Sequence, residues 1–380
     1  MNRESLEGVR AGRKEAQVPE KERDERRRLA LEWGLESAWS IQDRSIPLFN
    51  RNSVAGKFSS SSTFLGVPFQ QDMRQLDGQD VVFVGAPLDA GTTYRPGARF
   101  GPNGIRAATS LSLGYNYELA IDLYESLRMV DAGDISIIPA NIEKSFDQID
   151  KAVAFLHERE VFPVILGGDH SIGYPDIRGL SPYVDGNIGI IHFDRHPDMG
   201  DKTLDERMHG TPFFHATNIP NAPPANLVQI GIGGWNMSRV GVRNVRERGA
   251  TSITIGDIDR WGLERVAEQA LEIAWRDAKA VFLSFDIDVL DPAFAPGTGT
   301  PEPGGLLPRE AFRLLELVAR EGLAGMEVVE VAPPYDVAET TSLLGARVVK
   351  DVLGVLVLNG KLGRRPVRET PETEPISETD

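Results

Sequence analysis

The sequence predicts an α/β fold, a mainly parallel sheet covered by helices on both faces. Apolar runs of strand length, such as 81–84, 162–166, 188–191 and 281–285, alternate with segments of helical length. The 38 glycines and 25 prolines fall mostly in short connections between those runs. Three of the runs end in acidic and imidazole side chains. In an open parallel sheet such strand ends converge on one crevice.

Taken in order, residues 1–18 are polar and lack a core-forming pattern. A charged helix is expected after Pro19, with Leu29, Leu31, Trp33 and Leu35 starting an apolar surface. Ser40 to Met73 holds too many aliphatic and aromatic residues for a plain tail and is expected to pack on the domain or a neighbouring subunit. The sheet starts at Val81, and the glycine-rich loop behind it lacks nucleotide-phosphate signatures. A helix from Pro102 to Thr109, a strand at 128–130 and a helix over 142–158 lead to the strand 162–166, then a helical piece around Asp176. After the strand at Ile188, residues 199–225 read as one long irregular connection. Strands at 227–230 and 252–255, a helix from Trp261 to Trp275, the strand at Val281, a helix from Leu307 to Ala319, a strand over 325–331 and a helix from Thr341 to Leu353 complete the pattern. Three parts result: an N-terminal extension (1–74), partly ordered and in oligomer contacts, a catalytic domain (75–358) and a disordered acidic tail (359–380).

With 380 residues, the chain is long enough for one large domain with flanking segments. A net charge of −15 leaves no basic stripe for phosphates, which argues against nucleic-acid partners. There is no cysteine, so disulfides, zinc–thiolate sites and thiol nucleophiles are excluded and a reducing compartment is expected. The first residues have no apolar core of a secretory signal, and no run reaches membrane-spanning length. A soluble, cytoplasmic protein is the expectation.

The chemistry-bearing residues sit at three strand ends: Gly167-Gly168-Asp169-His170, then Asp194-Arg195-His196-Pro197-Asp198, then Asp286-Ile287-Asp288. In extended chain, Asp194, His196 and Asp198 share one face, as do Asp286 and Asp288, while Arg195 turns away. Carboxylates gathered on a buried strand repel one another and lose hydration, so they need positive charge between them. Ion pairing is the competing explanation, but within the two acidic motifs only Arg195 is basic besides His196. A hard oxygen and imidazole donor set suits divalent first-row cations. Two ions sharing aspartate bridges can lower the pKa of a water held between them.

The motifs GGDHS at 167–171, FDRHPD at 193–198 and SFDIDVLDPAFAPGTGTPEPGGL at 284–306 resemble those of the ureohydrolases, the arginase and agmatinase family. The resemblance covers roughly residues 75–355. It implies a three-layer α-β-α arginase-like fold, and a two-ion centre that hydrolyses a guanidino group to urea and an amine or ammonia. His170, Asp194, Asp198 and Asp286 would surround one ion, and Asp194, His196, Asp286 and Asp288 the other. Asp198 would accept a proton from the attacking water, His209 in HGTPF would shuttle protons, and Glu330 would pair with the guanidinium. Thr300, in the third motif, would be a further substrate contact. Trimers or hexamers are implied.

Arginases usually continue the second motif with Asp-Ile-Asn, whereas here Met199-Gly200-Asp201-Lys202 follows, which argues against arginine. The long N-terminal extension, the RHPD motif, DERMHGTPFFHATN, IGIGGW and PGTGTPEPGGLLPRE are similar to the guanidine hydrolase branch. That implies free guanidine as substrate, with His215 and Trp235 walling off a small cavity, nickel as the metal and nickel-loading accessory proteins. The alternatives are agmatine, with manganese and with Asp201, Asp205 or Glu206 receiving its amine, another guanidino acid, or an inactive metal-binding relative.

Overall fold

The computed structural model describes residues 63–363 together with Glu25. The expected helix after Pro19, the extension up to residue 62 apart from Glu25, and the tail from residue 364 lie outside the described residues. Eight strands form one sheet: β1 (Val81–Ala86), β2 (Met129–Asp134), β3 (Phe162–Gly167), β4 (Asn187–Phe193), β5 (Leu227–Ile232), β6 (Thr251–Thr254), β7 (Ala278–Asp286) and β8 (Gly325–Val329). Their order is β2-β1-β3-β8-β7-β4-β5-β6, and every neighbouring pair is parallel. All carboxyl ends therefore point to one edge. The four strands at its centre, β3, β8, β7 and β4, are the ones that carry the motifs.

Strand alternation builds a core on each face. Val81, Phe83, Leu166, Phe193 and Phe285 pack on one side, and Val82, Val84, Ile165, Ile190 and Phe282 on the other. Besides a single turn at Leu123–Ser126, the helices among the described residues, in chain order, are α1 (Gly101–Ala108), α2 (Ile142–Glu158), α3 (Gly173–Leu180), α4 (Pro212–Ala216), α5 (Arg239–Arg248), α6 (Ile255–Trp261), α7 (Leu263–Ala274), α8 (Pro308–Ala319) and α9 (Thr340–Leu358). Residues of α1, α6, α7, α8 and α9 join the first core, and residues of α2 to α5 the second. The result is the three-layer arrangement. Within the described part of the N-terminal segment, Phe64 is fully buried and stacks on Phe83 with ring centroids 4.3 Å apart.

Local chemistry explains where the elements depart from the sequence reading. The helix expected over 261–275 is α7, starting at Leu263 because Gly262 takes φ 81° and separates it from α6. A capping box of Thr254 and Asp257 starts α6 directly after β6, so Ile255 is helical rather than extended. The connection 199–225 contains α4. The sequence reading missed α5 altogether, since the only aliphatic side chains in RVGVRNVRER are three valines set among four arginines and a glutamate. No helix among the described residues is long and apolar enough to cross a membrane.

Candidate metal centre and active site

Each motif leaves its strand at or just before its functional residues, and the turns aim them. After β3, a Cβ on Gly168 would lie 1.7 Å from the Leu88 carbonyl oxygen, so only glycine lets the two backbones meet. Asp169, fully buried, accepts hydrogen bonds from the Gly91 and Ser171 amides, and His170 opens the following turn. Asp286, the last residue of β7, caps a 3-10 turn and accepts from the Asp288 amide at 2.8 Å. Asp288 is thus placed by a turn and not by strand alternation. After β4, Asp198 adopts φ 46°, and after β8, Glu330 adopts φ 63°. Left-handed backbone at a non-glycine residue carries strain, and here it turns both carboxylates out of the alternation expected from sequence.

Two donor clusters result. Around His170 Nδ1 lie Asp194 Oδ2 at 3.0 Å, Asp198 Oδ2 at 3.1 Å and Asp286 Oδ2 at 3.0 Å. His196 Nδ1 lies 3.3 Å from Asp194 Oδ1 and 3.1 Å from Asp288 Oδ2. Asp194 therefore gives one oxygen to each cluster. Donor atoms about 3 Å apart have the spacing of adjacent ligands around a cation with bonds of about 2.1 Å. All of these side chains except His196 are buried, and among the described residues none of the four aspartates is paired with a lysine or arginine side chain. The buried Arg195 is instead spent on the Gly231 and Pro303 carbonyl oxygens. The donor set fits a pair of divalent cations.

The protonation equilibria carry the same signature. Burial opposes a charged His170, but the three surrounding carboxylates raise its pKa well above the ordinary value. Burial also pushes Asp286 well up, reinforced by the charges of Asp288 and Asp194. Asp288 rises to about 6 through burial, pulled back by His196 and pushed up again by Asp194. Burial works against a charged Asp194 too, yet the neighbouring His170, His192 and His196 hold it well below the usual range. Such frustration is relieved by positive charge inside the clusters.

Several orienting residues escaped the sequence reading. His192 touches Asp194 Oδ2 through Nε2 at 2.8 Å, and its Nδ1 lies 3.0 Å from Gln229 Nε2. It shares a possible ligand group with His170, Asp194 and Asp198, but with both ring nitrogens engaged it orients Asp194 from outside. Ser284 Oγ lies 2.8 Å from His170 Nε2. Both His192 and Ser284 stand two residues before a motif aspartate on the same strand face, a signal that period-two reading could have used. Thr300 lines the cleft and donates to Asp288 Oδ2 at 3.2 Å.

Glu330 is 1% exposed. Its Oε1 accepts from the His170 amide at 3.0 Å and lies 2.8 Å from His209 Nδ1, while Oε2 has no partner among the described residues. Burial disfavours a charged His209, but Glu330, Asp169 and Asp198 raise its pKa to about 9. The Thr93 amide, 3.2 Å from Nε2, favours the neutral ring; a neutral dipole loses to a full carboxylate charge. An open cleft of about 370 Å3 exposes Asp198, His209, His196 and Asp286.

His215 and Trp235 do not wall that cleft. Trp235 is 98% exposed, carried out to solvent by the turn at Gly233 and Gly234, and His215 packs on Tyr174 and Phe214 within and beside α4. Asp201, Asp205 and Glu206 are exposed and also off the cleft lining.

A parallel α/β sheet whose central strand ends hold two cation-binding clusters around a shared aspartate defines a binuclear metallohydrolase centre. The sequence pattern of the Arginase family matches residues 79–354. Proclavaminate amidinohydrolase of Streptomyces clavuligerus is 36% identical over 301 residues, 79% of this chain and 94% of that protein. Its crystal structure superposes with a TM-score of 0.74, covering 80% of this chain and 99% of the other. Guanidinobutyrase of Pseudomonas aeruginosa is 35% identical, covering 79% of this chain and 93% of its own length. The mitochondrial agmatinase of Gallus gallus is 37% identical over 74% of this chain and 82% of its own. The chain belongs to the arginase (ureohydrolase) family and is a metal-dependent hydrolase acting on a guanidino carbon–nitrogen bond.

Proposed function

We propose that the substrate is a guanidino compound carrying an alkyl tail, agmatine or a guanidino acid, cleaved by water to urea and an amine. The observation that carries the reaction is Asp194, which shares its two oxygens between two cation-binding clusters. The tail is supported by the open cleft and by relatives whose names specify substituted guanidino compounds. With His215 and Trp235 off the cleft, the reason for expecting a closed cavity limited to free guanidine is gone. Free guanidine stays as the second reading, on the resemblance of DERMHGTPFFHATN and IGIGGW to the guanidine hydrolase branch.

Two divalent ions, when bound, supply charge stabilisation and lower the pKa of water at the site. His170, Asp194, Asp198 and Asp286 would hold one, and Asp194, His196, Asp286 and Asp288 the other. The chain's own groups do the rest. Glu330 Oε2, buried and unpartnered, offers a guanidinium a charge-assisted hydrogen-bond acceptor, while Oε1 stays fixed by the His170 amide and His209 Nδ1. Asp198, at the cleft surface, accepts the proton that water loses as its oxygen bonds to the guanidinium carbon. That proton is delivered to the leaving nitrogen as the carbon–nitrogen bond breaks, and the released amine takes up the remaining hydroxyl proton as the urea carbonyl forms, giving urea and an alkylammonium. His209 exchanges protons with solvent at the cleft.

Nickel is proposed from the branch resemblance, with manganese as the competitor, since carboxylate and imidazole donors accept either. A cytoplasmic location rests on the absence of cysteine, and a trimer or hexamer and nickel-loading proteins rest on the resemblance alone. The test is urea release by metal-free protein reloaded with nickel or manganese and offered guanidine, agmatine, 4-guanidinobutyrate, 3-guanidinopropionate and arginine. Turnover of the tailed compounds supports the proposal; turnover of guanidine alone overturns it.

A further inference from the structure

The outer part of the cleft carries a charge pattern that the reaction itself does not need. Of its lining residues, Asp198, Asp286 and His209 are buried and His196 nearly so, whereas Thr203, Asn236 and Ser238 are exposed and form its outer part. Lys202 also lines it, and is the only lysine or arginine among the described residues that does so. Apart from Asp198 and Asp286, no carboxylate among the described residues lines the cleft. The three acids of the same loop that could receive an amine, Asp201, Asp205 and Glu206, are exposed and absent from the lining. A substrate whose guanidino carbon lies at the ion site must extend its tail past these groups to reach solvent.

We propose that Lys202 is a specificity-determining residue that selects guanidino substrates whose tail ends in a carboxylate over those ending in an amine. The inference rests on the proposed hydrolysis of a tailed guanidino compound. A carboxylate beside the Lys202 ammonium gains attraction, whereas the ammonium of agmatine meets a like charge, so the same residue supplies both attraction and rejection. The chain's net charge of −15 favours cations in general. That field is screened over about 8 Å at physiological salt, so the nearest charge decides between tails. The neutral amide and hydroxyls of Asn236, Thr203 and Ser238 can donate hydrogen bonds to a carboxylate without adding repulsion.

The experiment compares kcat/KM for 4-guanidinobutyrate, agmatine and free guanidine, using full-length protein loaded with two ions per chain. Wild-type protein is expected to favour the guanidino acid. Lys202→Gln is expected to lower the acid-to-agmatine ratio about tenfold, Lys202→Glu to invert it, and Lys202→Arg to retain it, with high salt compressing all the differences. Because Lys202 is exposed, these variants do not disturb the core. A wild-type preference for agmatine, or a ratio that stays within about threefold in Lys202→Glu, overturns the role of Lys202 and leaves hydrolysis of tailed compounds standing. Urea from guanidine alone, or from none of the three, overturns that underlying reading as well.

Discussion

Replacing Glu330 with glutamine isolates the charge that holds His209 protonated. In the folded chain His209 sits near pKa 9 against an ordinary 6.5, with burial working against the shift and Glu330 the largest of the opposing attractions, ahead of Asp169 and Asp198. A rise of that size corresponds to about 3 kcal/mol of folding stability. The sign follows from linkage: with the folded pKa raised, the contribution is complete below about pH 6.5 and disappears as pH climbs through 9. Denaturant unfolding of metal-free wild-type and Glu330→Gln protein, at pH 6 and again at pH 9.5, reads the effect directly. The wild type should lead by about 2–3 kcal/mol at pH 6, and the gap should shrink to under about 1 kcal/mol at pH 9.5. Shared contributions from the ligand carboxylates cancel in the difference. A gap that is the same at both values would refute the charged His209–Glu330 pair.

The same variant, loaded with metal, should lose roughly 30- to 5,000-fold in kcat/KM for guanidino substrates, the range for breaking a buried charged pair of about 2–5 kcal/mol; a loss under about threefold would remove Glu330 from guanidinium recognition. Asp286→Ala should reduce metal content below two ions per chain and abolish urea release, as read by elemental analysis and steady-state kinetics. Because burial and the charges of Asp288 and Asp194 raise the Asp286 pKa, its ionised form destabilises the metal-free fold near neutral pH. Metal-free Asp286→Ala should therefore melt no lower than metal-free wild type, while added metal raises only the wild-type melting temperature by a large margin. Full activity with two retained ions would sink the role of Asp286.

Strand existence and the identity of the motif aspartates and histidines were legible in the sequence, because β1, β3, β4 and β7 are continuous apolar runs buried on both faces. The family resemblance followed from the order of three motifs. Charge and the missing cysteines limited the chemistry without any coordinates. The geometry of the centre was not legible, since period-two reasoning stops where the strands stop. Asp198 and Glu330 are aimed by left-handed backbone, Asp288 by a 3-10 turn, and α5 hides behind charged residues. The strand order alone set β3, β8, β7 and β4 side by side, bringing His170, Glu330, Asp286 and Asp194 from distant parts of the chain to one edge. The same tertiary arrangement turned Trp235 and His215 away from the cleft and left Lys202 on it. Local pattern determines which residues are apolar, acidic or bulky; which of them share a surface depends on long-range packing that no short window of sequence contains.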